Sequence, residues 1–146
     1  MPIENLRSPY DRVGEICYFG RMIDKIRLHA DGKLPADYVP NLGQGFDERC
    51  TKFLGINYDI LVNRVTQDAI AGSSQTDEEI LDWCFRSGYR PSLEDIEVWN
   101  EFMRKRGWND EASPRLKERL AEGGHAHRTD IQTFFDYIDL DEGRKA

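Results

Sequence analysis

Arg21, Asp24, Lys25, Arg27 and His29 crowd together in the stretch SPYDRVGEICYFGRMIDKIRLHADGKLP, residues 8–35. A guanidinium fork fits carboxylate or phosphate in two-point contact, so Arg21 and Arg27 suit an anionic ligand or an internal carboxylate. His29 could add acid–base chemistry where a cleft brings it a carboxylate. Arg27 shares an apolar helical stripe with Ile23 and Ala30. A buried arginine without a partner costs several kcal/mol, about 3–5, so an acid is expected beside it. Arg21 and Lys25, four apart with Asp24 between them, have the spacing of a solvated helix face.

Three other sets carry chemistry. Asp136, Asp139, Asp141 and Glu142 gather at the end of the last helical pattern, where negative charge opposes the helix dipole. A compensating cation is required, and Arg27 or Arg21 is the first choice. The expected arrangement clamps Arg27 between Asp24 and either Asp136 or Asp139, with the first and last helices packed together. His125 and His127, with Asp130 near, suit a transition metal in residue type. Two histidines on a polar loop are ordinary, however, and the acidic run lacks the alternating ligands of a calcium loop, so no metal or cofactor is assigned. Arg104-Lys105-Arg106 beside Trp108 could bind phosphate or stack on a base, but fits equally a favourable basic helix end with Trp108 tucked beneath.

Composition excludes several classes. The chain has 146 residues, 39% hydrophobic and 32% charged, with mean hydropathy −0.68. That suits one globular domain with its own core. No apolar run reaches membrane length, and the start MPIENLRSPY lacks a signal-peptide core, which predicts a cytoplasmic protein. Net charge is −7 and the pI about 5.0, so nucleic-acid binding is disfavoured. The charge is uneven: six basic against five acidic residues up to Lys33, and seven against thirteen from Glu94 to Glu142. Cys17, Cys50 and Cys84 lack metal-ligand spacing and fall among apolar residues of predicted helices, which implies buried, reduced thiols.

These groups must be positioned by helices. Ser8-Pro9 reads as the start, and Asp31-Gly32 as the stop, of one long opening helix. A proline- and glycine-rich loop spans Asp31 to Gly45, with Tyr38, Val39 and Leu42 expected to pack on the core. Further helices are predicted over 46–54 ended by Gly55, 58–70 capped by Asn57 and broken by Gly72-Ser73-Ser74, and 77–87 opened by the box Thr76 to Glu79. Another follows Pro91-Ser92 with Ile96, Trp99, Phe102 and Met103 inward and stops at Gly107. A short one starts at Ser113-Pro114, and the last opens at Thr129 with Gln132. No segment alternates as a strand. The fold class is therefore all-α: a single compact domain over 1–146 of six or seven short helices with an aromatic-rich core, residues 1–7 and 141–146 frayed.

The segments YFGRMIDKIRLHADGKLP, FDERCTKFLGI, IEVWNEFMRKRGWNDEAS and DIQTFFDYIDLDEGR resemble a bacterial family designated domain of unknown function number five thousand and sixty-nine. The resemblance covers nearly the whole chain. It implies a small cytoplasmic single-domain protein and supplies no catalytic residue. The residues themselves favour a binding or adaptor domain for a protein partner or small anionic ligand, acting through the first helix and the following loop with Arg21, Lys25, Arg27, His29 and Lys33. The alternative is a small enzyme using His29 or His125/His127 with a carboxylate, with or without a metal.

Overall fold

A hairpin, not a helix, follows Ser8-Pro9. The computed structural model describes residues 3–70 and 75–146. In it β1 (Arg12–Val13) pairs antiparallel with β2 (Ile16–Cys17) across Gly14-Glu15. Both turn residues have positive φ, 52° and 69°, as a tight hairpin of right-handed twist requires. The opening helix α1 is therefore only Phe19–Ala30. Ser8 caps nothing helical: its hydroxyl accepts the Tyr10 amide and donates to Asp139. What overrides the helical spacing is α5 (Leu93–Lys105). There Asn100 Oδ1 accepts the Cys17 amide at 2.9 Å, its Nδ2 donates to the Glu15 carbonyl at 2.8 Å, and Trp99 Nε1 donates to the Cys17 carbonyl. One side chain thus satisfies two backbone groups of the hairpin. Asn100→Leu is expected to lower stability by about 2 kcal/mol, since buried polar groups lose their partners; urea denaturation checks this, and a change below about 0.5 kcal/mol would show that the hairpin stands without it.

The remaining order is a 3-10 helix (Ala36–Asn41), α2 (Phe46–Leu54), α3 (Tyr58–Ile70), α4 (Asp77–Ser87), α5, α6 (Ser113–Glu122) and α7 (Phe134–Asp141). The all-α class holds, with the small hairpin added. Local signals behave as their chemistry dictates. Asn57 Oδ1 accepts the Ile60 amide, Thr76 and Glu79 cap each other's free amides, and Gly55 ends α2 in the left-handed region. Ser92 and Asp95 form a second reciprocal cap. The last helix starts at Thr133, whose hydroxyl accepts the Asp136 amide, rather than at Thr129. The expected break at Gly72-Ser73-Ser74, and the side chain of Ala69, lie outside the described residues.

α1 runs through the middle. Every residue from Phe19 to Ile26 is buried, polar ones included. Phe19, Met22 and Ile23 meet Leu54, Leu61, Ile80 and Met103 in the main core. Phe135 of α7 is fully buried and forms edge contacts with Tyr10 and Phe46, ring centroids 5.2 and 5.6 Å apart, while Phe53 stacks on Trp99 at 4.6 Å. Leu28 and Leu34 hold Leu6, Tyr38 and Leu42 in a second cluster, and Leu116 and Leu120 of α6 pack with Ile131 against Phe134, Tyr137 and Leu140 of α7. Three expected inward side chains face out: Val39, Phe102 and Trp108. Phe102 lies under the Arg49 and Arg106 guanidiniums and Trp108 under Lys105. Parts of the segments expected to fray, among the described residues, are bound in. Leu6 and Glu142 are buried, and Arg144 donates to Asp139, Glu142 and the Leu6 carbonyl.

Candidate functional site

The polar side of α1, expected to face solvent, is instead the wall of a cavity. Arg21 and Lys25 are 4% and 6% exposed. They line a space of about 550 Å³ with Tyr38 from the 3-10 helix, Phe46 at the start of α2, Arg115 and Arg119 from α6, and Phe134, Tyr137 and Glu142 from α7 and its end. Two ion pairs build its floor.

In the first, Arg21 grips Glu142 with both nitrogens, at 2.8 and 2.6 Å. The Tyr38 hydroxyl donates to the same carboxylate at 2.7 Å, and Arg144 adds another contact. Burial pushes the Glu142 carboxyl up, but Arg21, Tyr38 and Arg144 outweigh it and hold the group below the usual range. This is the cation that the acidic helix end requires, and it is Arg21.

In the second, Lys25 Nζ lies 2.8 Å from Asp47 Oδ1 and 3.0 Å from the Tyr18 hydroxyl, which itself donates to Asp47 at 2.7 Å. The other Asp47 oxygen accepts the Gly43 amide, so this fully buried carboxylate is satisfied on both sides. Tyr18 reaches the pair from a left-handed backbone, φ 72°. The strain is sustained by the hydrogen bond that its backbone amide donates to the Pro9 carbonyl and by its hydroxyl contacts. Burial pushes the Lys25 ammonium toward the neutral amine, partly countered by Asp47, and pushes the Tyr18 phenol well up. Tyr18 is thus a hydrogen-bond donor, not a base, at neutral pH. Burial also raises the Cys17 and Cys84 thiols to about 12 and Cys50 well above its ordinary value, so the three free cysteines are poor nucleophiles. All three are buried as expected, though Cys17 is on β2 and not on a helix.

Arg27 is not clamped by Asp24, Asp136 or Asp139. Its side chain is 38% exposed and pairs with Asp77 of α4 at 2.7 Å. Asp24 takes Arg7, Asp136 takes the Tyr10 hydroxyl, and Asp139 takes Ser8 and Arg144. The reason is that the last turn of α1 leaves the core, with His29 and Ala30 exposed, so Arg27 stands beside α4 and not in the middle of a buried stripe. Asp136 lies in the first turn of α7 and favours the dipole there. The expected ligand residues are divided between two spaces. Arg21 and Lys25 line the cavity above, whereas Arg27 and Lys33 line another of about 520 Å³ with Arg7 and Asp24. His29 is exposed in the last turn of α1 and lines neither. His125 is half-buried and His127 exposed; among the described residues no group of three or more His, Cys, Asp or Glu is placed to hold a metal.

Asp47, Tyr18, Arg115 and Arg119 were not expected at the site, and Tyr38 was expected only to pack on the core. For Asp47 a signal existed, since Asp47, Cys50, Thr51 and Leu54 are spaced along one helical stripe and all are buried. For the others nothing local distinguishes a cavity wall from a surface.

Among the described residues, no helix is long and apolar enough to cross a membrane. No curated protein matches the chain. One family model does match, over residues 3–144, and the chain belongs to that family, described as Domain of unknown function (DUF5069).

Proposed function

We propose that this protein is a small cytoplasmic binding domain that takes a small anionic ligand between α1, the 3-10 helix, α6 and α7. The supporting observation is four basic side chains, Arg21, Lys25, Arg115 and Arg119, on one cavity whose other walls include Tyr38, Phe46, Phe134 and Tyr137. Its size, about 550 Å³, is that of small-molecule sites, commonly about 300–1,000 Å³. Arg21 and Lys25 are engaged by Glu142 and Asp47, so their charges are balanced within the floor. Arg115 is exposed and Arg119 holds Glu122 only at 3.5 Å, which leaves these two to meet a carboxylate or phosphate. The aromatic walls favour a ligand with a planar or apolar body. Asp37 and Asp141 at the same cavity disfavour an extended polyanion, which matches the net charge of −7.

The test is a thermal-shift series with inorganic phosphate, lactate, benzoate and phenyl phosphate. An anion at a hundred times its Kd stabilises the fold by about 2.7 kcal/mol. That corresponds to a rise in Tm of about 5–10 °C for a chain of this size. The aromatic anions are expected to act at lower concentration than phosphate, and Arg115→Ala with Arg119→Ala to abolish the shift. No response to any of the four, or a response that survives the double substitution, would overturn the assignment.

A further inference from the structure

Lys25 differs from the other described lysines. It is buried on a cavity wall, where Lys33, Lys52, Lys105 and Lys117 are exposed. Its nitrogen stands between a carboxylate, Asp47, and a phenol, Tyr18, each within hydrogen-bond distance and each bonded to the other. A buried ion pair alone needs no third member, yet the backbone at Tyr18 adopts a strained left-handed conformation that delivers its hydroxyl there. An amine with an adjacent proton acceptor, a proton donor and an opening to a cavity that Arg115, Arg119 and aromatic rings line is a set suited to carbonyl addition.

We infer that Lys25 forms a protonated imine with the carbonyl carbon of an anionic aldehyde or 2-oxo acid bound in this cavity, with Tyr18 and Asp47 handling the protons. The inference rests on the anion-binding reading above. In the first step Asp47 takes a proton from the ammonium, and the freed nitrogen lone pair attacks the carbonyl carbon. The carbon–oxygen π pair moves to oxygen, which receives the Asp47 proton through the Tyr18 hydroxyl. A proton from nitrogen then passes by the same route to the hydroxyl, the carbon–oxygen bond breaks, and water leaves. Ammonium plus carbonyl gives protonated imine plus water. Asp47 ends as the carboxylate, and no oxidant or reductant takes part. Burial, which disfavours the charged amine, assists the first transfer.

The whole chain is incubated with glyoxylate or pyridoxal 5′-phosphate, reduced with borohydride, and mapped by peptide mass spectrometry. The expected result is a reduced adduct on the Lys25 peptide at concentrations that leave Lys52 and Lys117 unlabelled. Tyr18→Phe keeps the Lys25 and Asp47 pair and is expected to slow trapping by about 10²-fold. Lys25→Arg keeps the positive charge toward Asp47 and abolishes the adduct. Labelling confined to exposed lysines, or trapping unaffected by Tyr18→Phe, would overturn the inference. The thermal shift with lactate and benzoate, which carry no aldehyde or ketone, separates the two readings. If these anions stabilise the protein and no Lys25 adduct forms, the cavity binds anions and the imine falls. If none of the four anions stabilises it, the anion-binding reading falls, whether or not the Lys25 adduct forms.

Discussion

Glu142→Leu is expected to destabilise the protein by about 3–5 kcal/mol, because it leaves the Arg21 guanidinium buried without its partner. Arg21 is 4% exposed and Glu142 2%, so water cannot replace the lost contact without opening the seam between α1 and α7. The same substitution frees the Tyr38 hydroxyl and one contact of Arg144, which loosens the 3-10 helix and the chain end together. Urea denaturation measures the loss, and a change below about 1 kcal/mol would mean that the seam tolerates an unpaired arginine. Arg21→Met combined with Glu142→Leu is expected to recover much of it, since two apolar side chains of similar volume avoid the desolvation of both charges. The pair also has a pH signature. Glu142 has a carboxyl pKa below its ordinary value of about 4.3, so its contribution is complete above that value and is lost as pH falls through the lower, folded-state value. The double variant should therefore show a shallower loss of stability below about pH 4 than the parent.

Gly88→Ala is expected to cost about 3 kcal/mol, far more than a glycine at a helix end usually would. Gly88 follows α4 with φ −124° and ψ −115°. A Cβ there would overlap the Leu54 carbonyl oxygen and come within 2.6 Å of the Gly55 oxygen, both backbone atoms of the turn after α2. Neither can move cheaply, because the Tyr89 amide donates to that same Leu54 carbonyl at 2.7 Å. Gly32 is the control. It has φ 70°, and a Cβ added to it would meet no atom within 4 Å, so alanine there faces only the left-handed backbone penalty of about 1–2 kcal/mol. Equal losses at the two positions, by thermal or urea unfolding, would show that the α2–α4 contact yields. In the sequence Gly88 merely follows the helix predicted over 77–87; its close approach to α2 is a tertiary fact.

The contrast at Gly88 recurs through the molecule. Thr76 with Glu79, Asn57 and Gly55 could be assigned from sequence because each acts on amides or carbonyls within a few residues, and that chemistry is fixed before any packing. The helical spacing of Cys50 with Leu54 and of Ile80 with Cys84 likewise made the core faces legible. The all-helical class follows from these local signals. The opening segment shows their limit. Val13 and Ile16 fit a helical stripe, but Asn100, more than eighty positions away, offers the Cys17 amide and the Glu15 carbonyl a better arrangement as a hairpin. That exchange moved the start of α1 to Phe19, and packing around the helix then assigned its faces. Arg27, expected in the core, went to the edge beside Asp77, and Arg21 and Lys25, expected in water, became the cavity floor. Residue order alone sets where charges fall along the helix and that an acid-rich end needs a cation. Which charge pairs with which is settled by packing, because Arg21 and Lys25 meet Glu142 and Asp47 across sequence separations that no helical repeat contains.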